Sequence, residues 1–312
     1  MKVSVCMITY NHERFIREAI DSVLMQKGDF DSELVIAEDC STDSTRDILL
    51  EYQKKHPDRI RLLLNQKNIG GNHNLIHALS ECKGEYIALL EGDDFWTSPE
   101  KLHKQVEYMD THPECSLCFH KAIIFYDSNN LKKESLIPSR KIKPVSTIED
   151  LLQENFIPTL SVMYRRKNIP SIPEHLTGFW MFDWPLHILV AKTGKIGYLD
   201  DTMGKYRRHD TSVCSKTGDI QCYLGIADML RAVNAYLDNR YDSVIKSTIA
   251  RQYYDLSIIY WEQNDLPNAK KFFRESLRTK RFNRQISMME LGRLCVRLLA
   301  SSVKKRTNCF NS

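Results

Sequence analysis

Over roughly its first hundred residues the chain alternates short apolar runs with amphipathic stretches, and that rhythm restricts it to a mainly parallel sheet with helices on its faces. Val3 to Ile8 is an apolar run of strand length. Asn11 then stands where it can cap a helix in which Phe15, Ile16, Ala19, Ile20, Val23 and Leu24 recur at helical spacing. Leu34-Val35-Ile36-Ala37 repeats the strand pattern, and Ile48, Leu49 and Tyr52 mark a second helix. Ile60 to Leu64 supplies a third strand, Leu75, Ile76 and Leu79 a third helix, and Tyr86-Ile87-Ala88-Leu89-Leu90 a fourth strand. Ser98-Pro99 then predicts another helix, with serine as its cap and proline in its first turn.

Polar clusters follow each of these strands: Thr9-Tyr10-Asn11, Glu38-Asp39, Asn65 with Asn68, and Asp93-Asp94. In an open α/β sheet the carboxyl ends of parallel strands line the crevice where ligands bind, so the spacing predicts that the clusters converge. The last is the most constrained chemically. Glu91-Gly92-Asp93-Asp94 places neighbouring carboxylates at a strand end, where they repel unless a cation joins them. A hard divalent ion suits such a pair, because Mg²⁺ typically takes one or two protein carboxylates and draws its other oxygens from phosphate and water. The competing reading is an acidic turn in solvent, common wherever strands end.

The chain of 312 residues is long enough for one large domain with an appendage or for two modest domains. Its 42% hydrophobic and 27% charged residues exclude both a disordered chain and an integral membrane protein. No apolar stretch has the length of a bilayer span, and the amino terminus enters a strand pattern at once, so a cytoplasmic protein is expected. Nine scattered cysteines fit that compartment as free thiols. Cys115 and Cys118, with His120 nearby, have the spacing of a zinc or redox pair, but the run continues as Phe119 to Phe125 and reads as a core strand.

Beyond residue 115 the elements become shorter and mixed: Ser116 to Tyr126, a helix near Ile148 to Gln153, and the segment Leu160 to Arg166. Phe182-Asp183-Trp184-Pro185 opens a helix running towards Gly194, and Gly197 to Leu199 and Met203 to Tyr206 read as two short strands before Arg207-Arg208-His209. From about Asp219 the pattern is helical, and Tyr253 to Phe273 is like one tetratricopeptide hairpin. The last stretch is crowded with Arg278, Lys280, Arg281, Arg284, Arg293, Arg297, Lys304, Lys305 and Arg306. Ile286, Met289, Leu294, Leu298 and Val303 run among them, which suits either a helix lying on an anionic membrane or one docked on its own domain. Nucleic acid is not expected as a partner, since nothing else in the chain supports it.

Up to residue 215 the chain resembles the family-2 glycosyltransferases of the GT-A fold, a large group of inverting enzymes that use nucleotide-sugar donors. The resemblance rests on Val5 to Asn11, Glu38 to Asp43, Asn68-Ile69-Gly70, and Gly84 through Asp94, in that order. A dinucleotide-binding domain is disfavoured, because no glycine fingerprint follows the first strand. The resemblance implies an α/β GT-A domain over residues 1–215, a Rossmann-like mixed sheet flanked by helices, and a helical region over 216–312. It implies donor contacts from Thr9, Tyr10, Asn11, Asn68 and Gly70, and a carboxylate at Asp39, with Glu38, accepting from the imide of a uracil. Asp93 would lie near ribose and metal, Asp94 would hold Mn²⁺ or Mg²⁺ against the diphosphate, and His209 would be a further ligand. Arg207 would meet the diphosphate, and Asp183 would be the catalytic base, with helix capping as its plainer role.

Two departures from the family pattern stand out: Glu91 where aspartate is frequent, and Cys40 where the turn usually has glycine. The reaction implied is transfer from a nucleotide sugar, UDP-linked by preference, to a saccharide or lipid-linked saccharide in surface polysaccharide assembly. The other class left open is a catalytically degenerate sugar-nucleotide-binding or scaffolding protein on the same fold.

Overall fold

The computed structural model describes residues 1–126, 134–209, 219–281, 283 and 285–298. It divides into two compact units, Met1–Leu151 with Asn155–Ser215, and Leu152–Glu154 with Lys216–Ser312.

In the first unit β1 (Val3–Thr9), β2 (Ser32–Glu38), β3 (Ile60–Leu64) and β4 (Tyr86–Glu91) alternate with α1 (Ile16–Leu24), α2 (Thr45–Lys55) and α3 (Gly71–Glu81). They continue into β5 (Phe95–Trp96), α4 (Lys101–Thr111), β6 (Cys115–Tyr126), β7 (Ser135–Ile137), β8 (Val145–Ser146) and α5 (Ile148–Gln153). β9 (Met163–Arg165), α6 (Glu174–Thr177), α7 (Asp183–Ala191) and β10 (Lys195–Arg208) complete it. The main path of the sheet runs β3-β2-β1-β4-β9-β6-β10-β5. β1 to β4 are mutually parallel, whereas β9 lies antiparallel between β4 and β6. The parallel strands are near-continuous apolar runs because both faces are covered. Val3, Val5 and Met7 pack with Ile16 and Ile20 of α1, Ile48 and Leu49 of α2, and Leu102 and Met109 of α4, while Cys6 on the opposite face meets Cys82 at the end of α3.

Three local readings are corrected. Asn11 does not cap α1; it adopts φ 56° and bonds to the neighbouring loop, and the helix begins at Ile16 after Phe15. Ser98-Pro99 precedes α4 without entering it, because Glu100 is its N-cap. The two short strands before Arg207 are one strand, β10, whose register slips between Leu199 and Gly204. Asp200 and Asp201 form the polar break seen in the sequence; the irregular register carries the strand through it while they pair with Lys121 and Lys104. Cys115 and Cys118 are buried free thiols on β6.

The second unit is built from α8 (Asp219–Tyr236), α9 (Asp242–Glu262) and α10 (Leu266–Thr279). The tetratricopeptide-like pattern falls on the α9–α10 hairpin, where the Asp265 side chain accepts from Asn268 N at 3.2 Å. Residues 288–298 are helical, with Leu294 and Leu298 buried in a cluster with Ile286, Tyr254 and Ala269. The apolar stripe of the basic helix is therefore largely spent within its own unit, though Met289 leaves it and is 64% exposed. Arg297 lies over the Trp261 ring. Arg284, Val303, Lys304, Lys305 and Arg306 lie outside the described residues. No helix among the described residues is long and apolar enough to cross a membrane.

Candidate active site

Parallel pairing brings the polar clusters level. Thr9 is opposite Glu38, Glu38 opposite Leu64, and Ile8 opposite Glu91, so the four loops leave the sheet side by side across three strand spacings, about 14 Å. The loops are laced together. Asn11 Oδ1 accepts from Thr42 N at 2.8 Å, His12 N donates to Thr45 Oγ1 at 2.8 Å, and Glu13 N donates to Asp43 Oδ2 at 3.1 Å. Asp39, 2% exposed, accepts at Oδ1 from Asn65 Nδ2 and Ile69 N, at 3.0 and 2.8 Å, and at Oδ2 from Gly70 N at 2.9 Å. Its backbone oxygen accepts from Asn68 Nδ2 at 3.1 Å. Glu38 is fully buried, bonded to Ser41 N and paired with Arg46, a partner with no marker in the sequence. Both carboxylates thus shape the loops, and Tyr10, 41% exposed, is an aromatic side chain of this group open to a ligand.

Gly70 and Cys40 both turn left-handed, at φ 84° and φ 60°. Glycine takes that conformation freely; cysteine does so at a cost of about 1 kcal/mol. Cys40→Gly is expected to raise the unfolding free energy by up to that amount, and Cys40→Val to lower it by at least as much, both read from the denaturant midpoint, because β-branched residues tolerate the region worst. A midpoint for Cys40→Val equal to that of the parent chain would contradict the strain.

The Glu91-Gly92-Asp93-Asp94 turn is packed too tightly for a side chain at its second residue: a Cβ on Gly92 would lie 2.7 Å from Thr9 Oγ1 and 2.9 Å from His12 Nδ1. Thr9 is accordingly buried and supports the turn, meeting His12 Nδ1 at 3.2 Å. Asp93 lies between two imidazoles, with His209 Nε2 at 3.0 Å and His12 Nε2 at 3.9 Å from its Oδ2. Burial alone would push the Asp93 carboxyl up, but the bond from His209 and the charge of His12 outweigh it and hold it below the usual range. Burial acts on His12 in the opposite sense for its charged form, and lowers it.

Asp94 is 1% exposed. Its Oδ1 accepts from Arg207 N at 2.8 Å, while its Oδ2 is the only buried carboxylate oxygen without a partner among the described residues. Burial, then the charges of Asp93 and Glu91, push the Asp94 carboxyl well above its ordinary value. Burial beside Asp93 and Asp183 likewise raises Glu91 to about 8. No three His, Cys, Asp or Glu side chains are grouped as a metal cage among the described residues.

Arg207, expected at the diphosphate, is 7% exposed and lies beside the acidic turn. Its guanidinium lies over the rings of Phe15, Phe95 and Phe125, pairs with Glu18 and donates to Asp93 O at 2.9 Å. It ties β10 to the acidic turn. Phe15, which also packs on His209, stood in the sequence only in the apolar pattern of the first helix, and Glu18 has no marker there.

Asp183 opens α7 without capping it; the N-cap is Phe182 and no side chain caps that end. Its Oδ2 instead accepts from Asn155 Nδ2 at 3.2 Å and Thr159 Oγ1 at 3.1 Å. The charge of Asp183 adds, after burial and Asp93, to the upward push on Glu91. Asn72, at the start of α3, donates to Thr177 O at 2.7 Å and Phe179 O at 2.8 Å, so the loop leading to Asp183 is tied to the loop that Asp39 holds. The described cavity, about 390 Å³ between Gln26, Phe30, Arg59 and Leu102, lies at the amino ends of the strands and away from these groups.

Comparison with known proteins gives the same frame. The sequence profile described as glycosyl transferase family 2 matches residues 4–173. An uncharacterized protein of Mycobacterium tuberculosis is 43% identical over 207 residues, 66% of this chain and 59% of the relative, so the chain spans about three fifths of the length of the curated relatives it matches first. TuaG of Bacillus subtilis, named as a candidate teichuronic acid biosynthesis glycosyltransferase, is 31% identical over 68% of this chain and 81% of its own. Among solved structures, residues 1–349 of TarS from Staphylococcus aureus, in complex with UDP-GlcNAc, superpose with a TM-score of 0.67 at 18% identity, covering 96% of this chain and 89% of that one. At that identity the likeness shows the fold, a GT-A mixed sheet with helices following it.

Proposed function

Because the chain belongs to glycosyl transferase family 2, we propose that it transfers a sugar from a nucleotide-sugar donor to a saccharide acceptor, inverting the anomeric carbon. One observation carries the reading: the buried oxygen of Asp94 that has no partner, in the acidic turn at the end of β4.

Donor recognition falls to the loops after β1, β2 and β3. Tyr10 offers an open aromatic face, and the backbone around Asn11, Asn68 and Gly70 is held ready by Glu38 and Asp39. A UDP-linked donor is supported by the TarS structure of the same fold, which is in complex with UDP-GlcNAc. The turn fits a divalent cation, since Asp94 Oδ2 lacks a partner and the neighbouring Asp93 is held ionised. Asp94 and Asp93 would hold Mn²⁺ or Mg²⁺, with His209 beside them, and the ion would supply positive charge against the departing diphosphate. Asp183 accepts the proton of the acceptor hydroxyl as that oxygen attacks the anomeric carbon from the face opposite the leaving group. The bond to the diphosphate breaks and its electron pair leaves on the phosphate oxygen.

The naming of TuaG for teichuronic acid biosynthesis supports a role in polysaccharide assembly, for which the proposed acceptor is a saccharide or lipid-linked saccharide. Exposed Met288, Met289 and Val296, on a helix that also carries exposed Arg293, support peripheral contact with the inner face of a membrane. Incubation of the purified protein with Mn²⁺ and a panel of UDP- and GDP-sugars is expected to release UDP from a UDP-sugar, and faster with a lipid-linked acceptor fraction. Donor binding without diphosphate release under any of these conditions would instead establish the degenerate binding protein.

A further inference from the structure

We infer that Asn155 and Thr159 are positioning residues that orient Asp183 so that one of its oxygens is held and the other is left to take the acceptor's proton. The inference rests on the reading of Asp183 as the base.

Both donors converge on a single oxygen. Asn155 Nδ2 lies 3.2 Å from Asp183 Oδ2 and Thr159 Oγ1 lies 3.1 Å from the same atom. The orientation of the Asn155 amide follows from its other end, because Oδ1 accepts from Ile157 N at 3.3 Å and the NH₂ must therefore face the carboxylate. The arm carrying these groups is rigid. Phe156, Ile157 and Leu160 are all buried, and the turn at Thr159–Ser161 is closed by Ser161 N and Ser161 Oγ on Pro158 O at 2.9 and 2.7 Å.

A carboxylate at the first residue of a helix is otherwise free to turn about its terminal torsion, which is broad and shallow. Two donors on Oδ2 remove that freedom and direct the lone pairs of Oδ1 along one line. Loss of such alignment costs a proton transfer up to about a hundredfold, even when no reacting atom is removed.

The test uses the full chain and the UDP-sugar that it turns over best. Thr159→Val keeps the shape of the side chain and removes only the hydroxyl. It is expected to lower kcat about tenfold, and Thr159→Val with Asn155→Ala together about a hundredfold, with donor KM unchanged and activity restored by Thr159→Ser. A crystal structure of the double variant, which needs no substrate, should show the Asp183 carboxylate turned or split between orientations on an undisturbed α7. An unmoved carboxylate, or full kcat in the double variant, overturns the positioning role. If Asp183→Asn itself keeps near-normal turnover, the reading of the base fails instead, so the two failures are told apart.

Discussion

Asp94→Asn is expected to fold at least as well as the parent chain while losing metal-dependent donor affinity by about a hundredfold, or about 2.7 kcal/mol. Asparagine keeps an oxygen for the bond from Arg207 N, which Asp94 Oδ1 accepts at 2.8 Å, so the strand-to-turn tie survives. It removes a charge that burial and the neighbouring Asp93 and Glu91 all oppose. The amide NH₂ takes the place of Oδ2 and is left without a partner as that oxygen was, so the difference between the two chains lies in the opposed charge, a kind of cost that persists where a ligand completes the site. Stability and binding should therefore move in opposite directions, which a purely structural aspartate would not produce. Calorimetric titration of UDP in the presence of Mn²⁺, set beside a denaturant melt, checks both halves; unchanged affinity would remove Asp94 from the metal site.

Asp183→Asn should leave donor affinity within about twofold of the parent while reducing turnover by about 10²–10⁴-fold, the range that a general base contributes. The amide has the size of the carboxylate and can still accept from Thr159, so α7 and the arm from Asn155 should stay in place. What it lacks is an oxygen able to take a proton. Steady-state rates of UDP release, with donor binding measured separately, decide the matter, and turnover near that of the parent would assign Asp183 a structural role only. Glu91, raised chiefly by burial and then by Asp93 and Asp183, should stay above the ordinary carboxylate range in the variant, since only the last of these influences is removed.

Much of the site's frame is legible in the sequence because it depends on local periodicity. Apolar runs of strand length followed by polar residues place Thr9, Glu38, Asn68 and Asp93 at strand ends, and parallel pairing then has to bring them level. The misreadings have the same origin. Asn11 and Ser98 are good capping residues by type, yet Asn11 bonds across to Thr42, a contact that helix propensity does not register. Asp200-Asp201 looks like a strand end because its tolerance depends on a register slip against β6 and on Lys104 and Lys121 from other elements.

The sequence by itself determined the family, the alternation that builds the sheet, and the line of loops on which acidic and amide residues gather. Tertiary structure alone decided which atoms of those residues remain for a ligand. Glu38 is consumed by Arg46 and Arg207 by Glu18, the latter pair 189 residues apart, while Asp94 keeps one oxygen and Asp183 gains two donors from the arm before β9. The physical reason is that periodicity is written within a turn or a strand, whereas the partner of a buried charge is set by which distant element packs over it.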